Sequence, residues 1–221
     1  MKNNFVVIFD LDFTIWKHVP FEEQSIDMAR YLNIPFSEEF AKQIVDFWAG
    51  DILRETKISK ESVAIMLEQH IPYLSKYHAS GRKFIDSMTY TDIVELNVGA
   101  LELLNYLKEK EYTIIAYTDW FLDLQYFLMD KLGVRTYFEQ VFAWDGTYEK
   151  PNRTRVEEVV SKFPNSKFIY IGDSLSKDMQ SANYIKDCIS IWYNEKYEES
   201  NLKIDHYTDN LASIIQFLEN R

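Results

Sequence analysis

Five short apolar runs, rich in β-branched and aromatic residues, punctuate this chain: Phe5 to Phe9, Tyr112 to Tyr117, roughly Tyr137 to Ala143, Lys167 to Ile171 and Cys188 to Trp192. A strand with one wet face alternates apolar and polar residues, so unbroken apolar runs of this length point to strands buried on both faces of a parallel sheet. Helical periods lie between most of them. Asn97 is placed to cap a helix with Val98, Leu101, Leu104 and Leu107 on its apolar face. Phe121 to Leu132 reads as a second helix that Gly133 stops. Pro151 suits the first turn of a third, running to about Phe163, and Asp178 to Ile185 makes a fourth. After a polar, charged tail from Glu195 to Asp209, Leu211 to Leu218 returns as a short helix.

The stretch 16–93 breaks the alternation. It contains no convincing strand, but it has helical periods at Phe21 to Leu32, Ser37 to Trp48 and Ser59 to Tyr77, with Pro20, Pro35 and Gly81 as punctuation. Ser37 and Ser59 stand at plausible helix starts. The expected organisation is therefore α/β: a Rossmann-like three-layer core with a parallel sheet, residues 1–15 and 94–221, plus an inserted helical cap, residues 16–93. At 221 residues, 47% of them hydrophobic, the chain is long enough for one large domain and such an insert.

Three candidate strands end on chemistry. Phe5 to Phe9 runs into Asp10-Leu11-Asp12, the second core strand into Thr118, and the strand from Lys167 into Gly172-Asp173-Ser174. Ligands of open parallel sheets bind at the carboxyl ends of the strands, so residues more than a hundred positions apart are expected on one rim. A carboxylate such as Asp10 attacks phosphorus only when the charge of the phosphate is masked. Mg²⁺ is suited to that, with Asp173 as a second carboxylate ligand. Asp12, if the chain turns there, lies beside the leaving oxygen as general acid and then base. Thr14 would hold the loop and Ser174 take a loop hydrogen bond. Thr118 offers a hydroxyl and a backbone N–H to phosphate, and Lys150, before Pro151, adds positive charge. Asp178 is placed either to orient a metal-bound water or to hold Lys150.

These four motifs, in this order, closely resemble the haloacid dehalogenase-like hydrolases: Asp10-x-Asp12-x-Thr14, Thr118 at the end of a strand, Lys150-Pro151, and Gly172-Asp173-Ser174-x-x-x-Asp178. The likeness covers roughly residues 1–15 and 94–195. A helical cap inserted after the first motif is carried by one large branch of that family. The resemblance implies Asp10 as nucleophile and Asp12 as general acid/base. It implies Mg²⁺ on Asp10, the backbone carbonyl of Asp12, and Asp173, with Thr118, Asp119 and Lys150 at the phosphate. An acid at Asp12 implies a phosphatase or phosphotransferase rather than a dehalogenase. Phe13 stands where the family usually has Gly, and Asp119 where it commonly has Asn.

The expected function is thus a Mg²⁺-dependent phosphatase of a small phosphorylated metabolite. Rival readings are a phosphomutase or other phosphotransferase on a sugar phosphate, and a regulatory module that keeps the fold without turnover. A net charge of −11 argues against a nucleic-acid surface. With no apolar run near the roughly 20 residues needed to span a bilayer and no signal-like N-terminus, a soluble cytoplasmic protein is expected, monomer or homodimer. The single cysteine, Cys188, reads as a buried small hydrophobe. In the cap, Phe40, Phe47 and Trp48 read as its core. Trp16 and His18 are candidates for the entrance, and Arg54, Lys57, Arg82 and Lys83 for charged contacts with substrate.

Overall fold

The computed structural model describes residues 4–49, 60–90, 93–120, 122–144 and 149–221, without the side chains of Trp48, Ala49, Lys60, Glu61, Ser62 and Thr89. The expected roles of Arg54, Lys57, Ser59, Phe121 and the Trp48 side chain fall outside these residues. In chain order the elements are β1 (Phe5–Phe9), β2 (Trp16–His18), α1 (Phe21–Leu32), α2 (Glu38–Ala49), α3 (Lys60–His70), α4 (Pro72–Lys76), α5 (Gly81–Tyr90), β3 (Val94–Leu96), α6 (Ala100–Glu109), β4 (Thr113–Tyr117), α7 (Leu122–Lys131), β5 (Gln140–Phe142), α8 (Arg153–Ser161), β6 (Lys167–Gly172), α9 (Gln180–Ala182), β7 (Ile189–Tyr193), β8 (His206–Thr208) and α10 (Ser213–Glu219). The chain divides into two compact units, Met1–Lys17 with Leu96–Arg221, and His18–Glu95.

The first unit is a Rossmann-like α/β fold. Its six parallel strands lie in the order β5-β4-β1-β6-β7-β8, so the chain steps outward on one side of β1 and then crosses to the other. That switch point falls between the neighbouring strands β1 and β6, and the carboxyl ends of strands at such a point are where open parallel sheets bind ligands. β1 is the central strand; Val6 through Phe9 are buried, which explains its unbroken apolar run. One face of the sheet sets Val6, Ile8, Ile115, Tyr117, Phe168 and Tyr170 against Val156 and Val159 of α8 and Met179 and Ala182 near α9. Leu103, Leu104 and Leu107 of α6 are also buried. Register does the gathering: Phe9 pairs with both Ala116 and Ile171, so Asp10, Thr118 and Asp173 emerge on the same rim.

Several local expectations are corrected. α6 starts at Ala100 behind Gly99, and Val98 and Leu101 are exposed. Asn97 spends its side chain elsewhere, on the loop after β1. Pro151 precedes α8 rather than opening it; the side chain of Asn152 caps that helix by accepting the Arg155 N–H at 3.1 Å. Asp178 to Ile185 is not one helix but a π-helical turn, Leu175–Met179, followed by the short α9. The apolar run from Tyr137 to Ala143 yields only the three residues of β5 after a 3₁₀ turn, Arg135–Tyr137. β8 arises within the polar tail; among the described residues it is an edge strand paired with β7, and its sequence carries little apolar signal. β2 and β3, likewise unforeseen, pair in a two-stranded sheet.

The second unit is helical over α1–α5. Ser37 caps α2 by accepting the Phe40 N–H at 3.1 Å, as its position suggests. The period from Ser59 to Tyr77 is split into α3 and α4, with Pro72 at the start of α4. Gly81 opens α5 rather than breaking the chain. A Cβ there would lie 1.9 Å from the carbonyl oxygen of Ala64, so only glycine lets α5 approach α3 so closely. Phe40 and Phe47 are buried in this unit, and Phe40 stacks on Tyr73 at 5.2 Å. Arg82 pairs with Asp86 one turn along α5, and both are exposed.

Cys188 is buried, and burial pushes its thiol up to about 12. Because thiolate is the reactive form, the folded protein is expected to resist a thiol reagent at pH 8, where thiolate is scarce. The unfolded protein should react within seconds to minutes. Equal labelling rates with and without denaturant would show that the site opens locally.

Candidate active site

β1 ends at Phe9, and the Asp10 N–H still bonds to the Ile171 carbonyl at 2.9 Å. The chain then turns: the N–H groups of Thr14, Ile15 and Trp16 all converge on the Leu11 carbonyl, at 3.2, 2.8 and 3.3 Å. Phe13 sits at the tip with φ 64°, left-handed backbone that a bulky residue adopts at a cost. The Asn97 amide spans the turn, donating to the Phe13 and Thr14 carbonyls at 3.0 and 2.9 Å. These bonds, reaching across 84 and 83 positions, hold the turn in a shape the local sequence does not prefer.

The turn separates the two leading carboxylates. Asp10 faces Lys150, whose Nζ donates to Asp10 Oδ1 at 2.5 Å and to Asp178 Oδ1 at 2.7 Å. Asp178 also accepts from the Tyr170 hydroxyl at 3.2 Å and the Ser174 N–H at 3.0 Å. Of the two roles open to Asp178, the geometry selects holding Lys150. Gly172 makes this possible: a Cβ there would lie 2.4 Å from the Asp178 Cβ. Ser174 accepts the Lys177 N–H at 3.3 Å and so fastens the π turn.

Carboxylate oxygens of Asp10, Asp173 and Asp178 lie within 4.8 Å of one another. Burial holds the Asp10 carboxyl well above its ordinary range; Lys150 opposes this, while Asp178 and Asp173 add to it. Asp173 is pushed up to about 6, first by burial and then by Asp178. Burial alone would lower the Lys150 ammonium, but Asp10, Asp178 and Asp119 outweigh it and hold it above the usual lysine range. One ammonium among three carboxylates leaves negative charge uncompensated. The Thr14 hydroxyl offers Asp10 Oδ2 and Asp173 Oδ1 only long contacts, at 3.5 and 3.4 Å. Two hard oxygen donors in an under-neutralised cluster fit a small divalent cation. Asp12 contributes no carboxylate to this group.

Asp12 instead swings to the other side of the turn. Its Oδ1 accepts from Trp16 Nε1 at 3.1 Å and its Oδ2 from Gln125 Nε2 at 2.7 Å. Trp16 and Gln125 are both fully buried, and Gln125 Oε1 has no hydrogen-bond partner among the described residues. Such an orphaned acceptor typically costs about 1–3 kcal/mol.

Thr118 differs from expectation. Its N–H is taken by the Phe142 carbonyl at 3.0 Å in the ladder toward β5, which leaves the hydroxyl as its polar group for a ligand. That hydroxyl accepts the Trp120 N–H at 3.3 Å. The Asp119 carboxylate, expected to meet substrate, instead accepts the Lys150 N–H at 2.9 Å, Arg155 at 3.1 Å and Lys177 at 3.4 Å. Arg155 also donates to the Thr118 carbonyl at 2.9 Å. The Asp119 charge thus supports the Lys150 segment and is itself compensated.

Trp16, expected at the entrance, is instead fully buried against Asp12, and Asn97, Gln125, Arg155 and Tyr170 support the site without having been picked out for it. Only Gln125 leaves a sequence signal, as a polar residue three and four places before Leu128 and Met129 on the buried side of α7. A pocket of about 310 Å³ opens beside Asp173, between Phe13, Asn97, Tyr193 and Asn194, with Lys17 and Lys196 at its edge. A larger cleft, about 1090 Å³, lies among Phe5, Lys167 and Arg221 at the opposite ends of the strands, away from this chemistry.

Comparison with known proteins gives a consistent picture. Residues 7–186 match the family described as haloacid dehalogenase-like hydrolase. A pyrimidine 5'-nucleotidase from Streptococcus pneumoniae is 32% identical over 107 residues, 47% of this chain and 45% of that protein. A phosphoglycolate phosphatase from Nitrosococcus oceani is 31% identical over 125 residues, 54% of this chain and 56% of its own length. The matches therefore span about half the length of these curated relatives. Among solved structures, the magnesium-bound HAD-hydrolase YfnB from Bacillus subtilis superposes with a TM-score of 0.65 at 20% identity, covering 99% of this chain and 100% of that one. A HAD phosphatase from Thermococcus onnurineus gives 0.60 at 17% identity, with 99% and 98% covered. At these identities the two structures speak for the fold alone.

Proposed function

The chain belongs to the haloacid dehalogenase-like hydrolase family, and on that premise we propose that it is a Mg²⁺-dependent phosphatase of a small phosphorylated metabolite. The observation that carries the reading is the pairing of Asp10 with the Lys150 ammonium at 2.5 Å, on the same rim as Asp173. The names of the curated relatives, a nucleotidase and a phosphatase, support a phosphate ester as the substrate.

In this reading Asp10 attacks phosphorus. The bond from phosphorus to the ester oxygen breaks, and Asp12 gives that oxygen its proton. Asp12 then takes a proton from water as the water oxygen attacks the phosphoryl group on Asp10, and the bond from Asp10 to phosphorus breaks. The products are an alcohol and inorganic phosphate. Lys150 and the Thr118 hydroxyl bind phosphoryl oxygens. Asp10 and Asp173, with the Asp12 carbonyl, would hold Mg²⁺, which when bound offsets the charge of the phosphate. Asp178 serves by keeping Lys150 in place. In the same reading residues 16–93 form an inserted helical cap domain, and 1–15 with 94–221 the catalytic core. A cytoplasmic setting goes with the same reading. Among the described residues, no helix is long and apolar enough to cross a membrane.

The test is phosphate release from an aryl phosphate, from nucleoside monophosphates, from phosphoglycolate and from hexose phosphates. Release is expected with Mg²⁺, a fall to background with a chelator, and recovery on adding the ion back. Silence across the panel at saturating Mg²⁺ would overturn the reading. Isomerisation of a hexose phosphate without phosphate release would replace it with a mutase.

A further inference from the structure

Gln125 is an expensive residue in its position. It is fully buried, its carbonyl oxygen is orphaned, and its amide N–H goes to Asp12 Oδ2 at 2.7 Å. Packing alone would be served better by Met or Leu, which fill the same space with nothing to satisfy. On the other oxygen of Asp12 sits Trp16, also fully buried, with its indole N–H at 3.1 Å. The two donors come from segments 109 positions apart in sequence, β2 and α7. Together they grip both oxygens of one carboxylate, which stands immediately before the left-handed residue Phe13 in the turn after β1.

We propose that Gln125 and Trp16 are positioning residues that hold the Asp12 carboxylate in the orientation for proton delivery to the leaving oxygen. The inference rests on the reading of Asp12 as the acid of a phosphatase. It adds that the acid is aimed by a two-sided clamp, and that the Gln125 amide is retained for this aim and not for the fold. Two consequences separate a positioning role from a structural one. Removing the amide should change stability little, because the orphaned oxygen that leaves with it offsets the donor that Asp12 Oδ2 loses. The loss of rate should depend on the leaving group: an aryl oxide departs with little help, whereas an alkoxide needs the proton in the transition state.

Gln125→Met and Trp16→Phe keep most of the volume and remove one donor each. Each is expected to lower kcat on an alkyl phosphate about tenfold to hundredfold, within the range a general acid supplies. KM and the rate on p-nitrophenyl phosphate should change much less. The melting temperature of Gln125→Met should stay close to that of the unaltered protein. An equal loss on both esters, no loss on either, or a Gln125→Met protein that fails to fold would overturn the inference, the last because it makes the amide a structural bond. Gln125→Leu, which also offers no donor, should show the same leaving-group selectivity. An unaltered protein silent on every ester would end the phosphatase reading and this inference together; an active one with unselective variants ends this inference alone.

Discussion

Asp10→Asn is expected to abolish phosphate release, by at least about 10⁴-fold in kcat, as removal of an enzyme nucleophile does. The protein should stay folded and be no less stable. The two halves of this expectation come from one arrangement. Asp10 is buried, and its carboxyl is held well above its ordinary range by that burial, with Asp178 and Asp173 adding to the effect and Lys150 opposing it. An amide of the same shape removes a charge the interior opposes. Lys150 keeps its 2.7 Å contact with Asp178. What is lost is the oxygen that forms the bond to phosphorus. Thermal melting and a phosphate assay on the same preparation check both halves, and an Asn variant that still turns over would remove Asp10 as nucleophile.

Lys150→Met is expected to cost about 3–5 kcal/mol of stability, the usual penalty for leaving a buried charge without its partner, and to remove activity. The Lys150 side chain is 3% exposed, and the Asp10 and Asp178 side chains it bridges are 9% and 1% exposed. Without the ammonium, two carboxylates face each other in the interior. A loss of that size is a large share of the roughly 5–15 kcal/mol that holds a typical domain. Urea titration measures it through the midpoint. The double variant Lys150→Met with Asp178→Asn should recover part of the loss, because it removes one of the stranded charges, so the two changes should not add. A Lys150→Met protein as stable as the original would mean that water reaches the cluster and screens it.

Much of the core was legible before any coordinates. Val6 to Phe9 is apolar because β1 is covered on both faces, and that burial is what the run records. The carboxyl-end placement of Asp10, Thr118 and Asp173 follows from parallel strands in register. Illegible elements were those whose stability comes from partners rather than from their own residues. β8 is three residues long and is a strand because β7 lies beside it. α6 begins at Ala100, two residues later than a cap at Asn97 would set it, and it buries Leu103 beside Leu104 and Leu107 while Leu101 is exposed. The side chain of Asn97 belongs instead to the turn at Phe13.

Sequence by itself determined the parallel α/β core, the family and the identity of the acidic residues, since those depend on local periodicity and on motif order along one chain. Tertiary structure alone decided the partners. It sent Asp12 to Trp16 and Gln125, Asp178 to Lys150, and Asp119 to Arg155. Hydrogen bonds and ion pairs form over about 3 Å, and which donor arrives within that distance is set by sheet register and helix packing between segments far apart in the chain.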